Sequence, residues 1–237
     1  MKTKLVTLVM FLFAAAYANS QNVDMIINKA ISQIGGEKAF KAINSFEYDM
    51  TMVGMGMEMP MKIYKKGDDK FRLEMSFMGQ DMISILNGNK GWTKTAGNVT
   101  EVPEEAINEF KEQLTSQVDV FDMPFMNYKE KGVSFELLGE EPVDGMDAYK
   151  IEVISDDANS VIYIDKTTNL LVKASTVQNI GGQDMDADIY MSDYKSVGSL
   201  KMPHKVQVKS GGEDLVQVVL NSVKINEDID DSLFQKP

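Results

Sequence analysis

Cysteine is absent from the whole chain, and with it go disulfide bonds, thiolate nucleophiles, cysteine metal sites and any lipid attached through a cysteine. Histidine is nearly absent. The single one, His204, follows Pro203 at an expected strand start, and no nucleophile-elbow sequence accompanies it, so a Ser-His-Asp mechanism finds no support. Asp184, Asp186 and Asp188 begin like a calcium loop, but Ile189 stands where such a loop needs glycine and Lys195 where it needs glutamate. They read as solvated turn acids, and Asp228, Asp230 and Asp231 as surface charge. Long apolar runs are missing as well. Nothing approaches the roughly 20 residues of a membrane helix, and Leu5 to Ala16 is the nearest. Basic charge is scarce: 24 Lys and Arg face 36 Asp and Glu, a formal net charge of −12 at pH 7, which opposes broad contact with nucleic acid or anionic headgroups.

What the chain does have begins with a charged start, Met1 to Lys4, then the apolar run, then the small-residue ending Ala18-Asn19-Ser20. Those are the three regions of a secretory signal peptide, with cleavage expected before Gln21. Removing residues 1–20 takes away Lys2 and Lys4 and no acid, so the expected mature chain carries −14. An exported, cysteine-free chain without a lipid anchor fits a bacterial periplasm.

Half of the 18 methionines lie between Met50 and Met82, inside a run of alternating strands from Ser45 to Thr95. Phe46, Tyr48, Met50 and Met52 hold the even positions; after Gly54 the apolar set moves to odd ones, Met55, Met57, Met59, Met61 and Ile63. That change of parity predicts a turn or bulge. Phe71, Leu73, Met75 and Phe77 form a third set, and Met82 to Leu86 a fourth. The result is an antiparallel meander with one face of Met and Phe, and flexible, polarizable methionine suits a surface that adapts to a lipid.

Around the meander, Val23, Ile26, Ile27, Ala30, Ile31 and Ile34 predict an amphipathic helix that covers a curved sheet. Pro103-Glu104-Glu105 opens a second helix through about Ser116. Val118 to Tyr128 follows neither period and reads as an apolar loop or lid. From Gly132 onward seven further strands are expected. With about five earlier, they make one antiparallel system of about 11–12 strands, mainly β with a few helices, and residues 21–237 form a single domain.

Cu(I) is a second reading of the methionines, because Met55-x-Met57-x-Met59-x-Met61 resembles the thioether clusters that hold this soft ion. Against it, no Cys or His strengthens the set, and methionines continue through Met75, Met78, Met82, Met123 and Met126, a dispersal that suits a greasy surface. No metal or other cofactor is therefore expected.

Ile63-Tyr-Lys-Lys-Gly-Asp-Asp-Lys-Phe-Arg-Leu-Glu74 and Ile83-Ser-Ile-Leu-Asn-Gly-Asn-Lys-Gly-Trp92 carry an aromatic-basic strand end, a turn, a Phe-Arg strand and an aromatic after a Gly turn. With Tyr163 to Lys173 and the ending Ile225 to Phe234, they resemble the LolA/LolB-type periplasmic carriers of outer-membrane lipoproteins. The resemblance implies an incomplete antiparallel β-barrel closed by helices, with a concave apolar cavity for acyl chains and transient donor and acceptor proteins at the two membranes. Its lining would be Phe46, Tyr48, Met50, Met52, Met55, Met57, Met59, Met61, Ile63, Phe71, Leu73, Met75, Phe77 and Trp92. It also implies a basic residue that helps hold the lid, with Lys65, Lys66 and Arg72 as candidates. The proline of the family after the basic strand end is replaced here by Gly67-Asp68. The expected function is non-enzymatic carriage of lipoprotein or other lipid, with a lipid-sensing regulatory module as the alternative.

Overall fold

A computed structural model describes residues 22–54, 56–116, 123, 125–155, 160–180 and 183–237. The expectations for the signal peptide, for Met55 and for most of the 118–128 segment lie outside these residues.

The amphipathic pattern near the start forms helix α1 over 22–33, with its stripe from Val23 to Ile34 buried. Gly35 and Gly36 end it: both have positive φ, at 118° and 81°, and the Gly36 amide returns to the Ile31 carbonyl at 2.8 Å. This is the six-to-one bond of a glycine-terminated helix. A short helix α2 (Glu37–Lys41) leads into the strands.

The alternating segments become β1 (Ser45–Gly54), β2 (Met57–Lys66), β3 (Lys70–Phe77), β4 (Gln80–Asn87), β5 (Lys90–Thr95) and β6 (Asn98–Glu101). After a 3-10 turn at Glu104–Ala106 and helix α3 (Ile107–Ser116) come β7 (Ser134–Val143), β8 (Met146–Ile154), β9 (Ser160–Asp165), β10 (Leu171–Ile180), β11 (Gln183–Val197), β12 (Leu200–Ser210) and β13 (Glu213–Ile225). The thirteen strands are one antiparallel sheet in the order β6-β5-β4-β3-β2-β1-β13-β12-β11-β10-β9-β8-β7. Two meanders thus meet where β1 pairs with β13, and β6 and β7 are the end strands of a sheet that does not close. The strand beyond the expected 11–12 is β6, four exposed residues in a stretch whose start reads as a turn.

The described residues fall into two compact units, one made of residues up to 37 with 124–190, the other of 38–123 with 191–237. In the first, the Tyr163 to Lys173 motif makes the β9–β10 turn. The Asp165 carboxylate accepts from the Thr168 amide and hydroxyl, and Asn169 takes positive φ, a conformation that Asn tolerates. In the second unit the β1–β5 meander is buried on both faces over the half nearest Ser45. On one of those faces α3 lies against β5. A Cβ built on Gly91 would meet the Phe110 ring at 3.0 Å, so glycine there permits the approach of the helix.

Candidate functional site

Register assembles the methionines. Met50 stands opposite Met61, Met61 opposite Met75, and Met75 opposite Met82, so one row crosses four strands. Met52 stands opposite Met59 one pleat repeat further on. Below these rows come Tyr48, Ile63 and Leu73, then Phe46, Lys65, Phe71, Leu86 and Gly91. Successive side chains along a strand alternate between faces, and opposite partners share one, so all of these positions are on the same face of the sheet.

That face is graded. Phe46, Tyr48, Met50, Met61, Ile63, Phe71 and Leu73 are buried, whereas Met52, Met57, Met59, Met75, Phe77 and Met82 are half-buried toward the hairpin ends. Burial pushes the Tyr48 hydroxyl well above its ordinary range, and its ring stacks on Phe46 at 4.4 Å. The acids of β1 and β2 and their ion pairs occupy the other face, where Lys62 pairs with Asp49 at 3.8 Å and Lys224 with Glu47 at 3.2 Å. Arg72 and Glu74 meet there at 2.6 Å. The arrangement offers adaptable apolar contact.

Trp92 is a correction to the expected lining. It pairs with Ile85, which pairs with Arg72, which pairs with Tyr64, and this row is on the opposite face. There Tyr64, Ile85 and Trp92 pack with Ile229 and Phe234 of the C-terminal tail, a 3-10 turn over Asp231–Phe234. Trp92 therefore anchors the tail.

The three basic candidates separate in the same way. Lys65 shares the Met and Phe face, its ammonium 6.0 Å from the Phe46 ring centre. Lys66 and Arg72 hold the tail. The Lys66 ammonium donates to the Ile229 carbonyl at 2.7 Å and to Asp231 at 3.0 Å, and Lys70 reaches Asp231 at 2.9 Å. Hydrogen bonds from Lys70 and Lys66 hold the Asp231 carboxyl below the usual carboxylate range. The Arg72 guanidinium donates to the Leu233 carbonyl at 2.8 Å, and the Asn87 amide to the Phe234 carbonyl at 3.2 Å.

Asn226 completes this layer. Its side-chain oxygen accepts from the Asn44 and Ser45 amides, its side-chain nitrogen donates to the Ala42 carbonyl, and its backbone has φ of 58°. Sequence reasoning marked this ending as a resemblance and missed its role as a second packed layer. His204 is buried, with Nδ1 3.1 Å from the Met202 carbonyl oxygen. Among the described residues, no group of three or more His, Cys, Asp or Glu could hold a metal, and no helix is long and apolar enough to cross a membrane.

No protein-family profile matches the sequence, and no curated protein matches it. Solved structures do resemble it. A domain assigned to outer-membrane lipoprotein sorting from Vibrio parahaemolyticus is 14% identical over 90% of this chain and 95% of its own, with a TM-score of 0.51. A DUF1329 family protein from Desulfovibrio piger is 13% identical over 90% and 97%, also at 0.51. A LolA superfamily protein from Nitrosomonas europaea is 12% identical over 92% and 98%, at 0.50. The chain has the LolA-like fold.

Proposed function

We propose, with the LolA-like fold as the premise, that this protein is a non-enzymatic carrier that takes acyl chains of lipoproteins or other lipids onto its Met and Phe face for transfer toward the outer membrane. The observation that carries the reading is the grading of that face, from a buried floor at Phe46, Tyr48, Ile63 and Phe71 to half-buried methionines at Met52, Met57, Met59 and Met75. A chain of lipid can displace soft side chains at the half-buried end while the floor keeps the sheet intact. The similarity to a domain assigned to lipoprotein sorting supports the same reading.

The setting follows from it. The protein is exported to the periplasm after cleavage before Gln21, works as one domain over residues 21–237, and meets donor and acceptor proteins only in passing. Of the three basic candidates for lid control, Lys65 is the one proposed, a choice supported by its position on the Met and Phe face.

The energetics suit a shuttle. Burying a long acyl chain at ~0.8 kcal/mol per methylene yields on the order of 10 kcal/mol before ordering costs. Methionine gives this up more readily than a tight jigsaw would, because its contacts are adaptable.

Binding of a fluorescent fatty acid to the mature protein tests the proposal. Saturable binding is expected, weakened at least tenfold by Met52→Gln with Met59→Gln and unchanged by Lys62→Gln on the other face. Equal binding by all three proteins would contradict it.

A further inference from the structure

The methionines singled out as a run along one strand cannot gather on one ion. Same-face neighbours along a strand are ~6.6–6.8 Å apart, so Met57, Met59 and Met61 of β2 extend over about 13 Å. Register creates a different grouping. Met50 stands opposite Met61 and Met52 opposite Met59, on adjacent strands and one pleat repeat apart. Directly opposite Cβ atoms are ~4.5–5.5 Å apart, so these four thioethers stand at the corners of a small rectangle and can turn toward its centre.

We propose that Met50, Met52, Met59 and Met61 form a binding site for a single soft monovalent ion, Cu(I). Neutral thioethers select Cu(I) over harder ions, which prefer imidazole, carboxylate and water. No carboxylate belongs to the group: the acids of β1 and β2, Glu47, Asp49 and Glu58, occupy the alternate positions, and Glu47 and Asp49 pair with Lys224 and Lys62. The ion's single charge is compensated at longer range by a strongly acidic chain. Buried Met50 and Met61 make the floor, and half-buried Met52 and Met59 the entry. Met75, opposite Met61, is the nearest additional thioether in the row. The site is independent of the carrier reading, although ion and acyl chain would compete for one surface.

The test is an anaerobic titration of the delipidated mature protein with Cu(I), in competition with the chromophoric chelator bicinchoninate. One Cu(I) per chain is expected, with sulfur-only coordination in the X-ray absorption spectrum and no uptake of Zn(II). Met52→Leu with Met59→Leu keeps the face apolar and removes two ligands. It should weaken Cu(I) at least tenfold while leaving the far-ultraviolet circular dichroism and the melting temperature in place. Failure to draw Cu(I) from the chelator, undiminished uptake by the leucine variant, or equal uptake of Zn(II) would overturn the site. Fatty-acid binding without Cu(I) uptake removes the metal site alone, and Cu(I) uptake without fatty-acid binding removes the carrier reading alone.

Discussion

At the scale of single residues, Trp92 and Tyr48 show how one position decides a role. The Trp92 side chain is buried against Tyr64, Ile85, Ile229 and Phe234, and its indole nitrogen meets no hydrogen-bond acceptor among the described residues. Trp92→Ala should therefore cost ~3–5 kcal/mol, while Trp92→Phe, which gives up an N–H that has no acceptor, should cost far less. Denaturant melts of the two variants check the contrast. Tyr48 reports on the other face. Its hydroxyl is raised by burial, as is that of Tyr194, whereas an unfolded tyrosine ionises near pH ~10. The folded state thus keeps a proton that the unfolded state loses, so the contribution of Tyr48 is fully present below about pH 10 and falls as pH rises above it. Tyr48→Phe should flatten the alkaline loss of stability between about pH 10 and 12, read from thermal melts against pH. An unchanged slope would mean that Tyr48 is not held in an apolar setting.

At the scale of elements, what was legible depended on periodicity. Alternation made β1 to β4 readable, and three- and four-residue spacing did the same for α1 and α3. The face of Trp92 was available too: the two-residue turn at Gly88 and Asn89 fixes Asn87 opposite Lys90, and counting back puts Trp92 opposite Ile85. The C-terminal layer was hidden for a physical reason. Ile229 and Phe234 are five residues apart in an irregular segment, and lysine, arginine and asparagine side chains hold its carbonyls from strands about 150 residues earlier. No local pattern records such contacts. The tail packs on the face opposite the methionines, which separates stability from binding. Phe234→Ala removes a fully buried ring and should cost ~3–5 kcal/mol, yet leave fatty-acid affinity unchanged at temperatures where the variant is folded. A parallel loss of affinity would mean that the tail shapes the binding face.

At the scale of the whole molecule, the sheet order explains why dispersed methionines form one surface. Those of β1, β2, β3 and β4 are scattered over more than thirty residues of sequence, and the meander stacks them into three adjacent rows. The fold itself was legible through loose motifs at the strand ends, and it is shared with solved structures only 12–14% identical to this chain. What such motifs could not convey was register, and register decides which side chains share a face. The central claim is that this face carries acyl chains. Native mass spectrometry of the mature protein, purified gently from its own host and followed by organic extraction, tests it most directly. Co-purified acyl lipid or lipopeptide in the unaltered protein, absent from a folded Met52→Gln, Met59→Gln variant, is the predicted result. An empty unaltered protein, or equal lipid on both, would contradict the account.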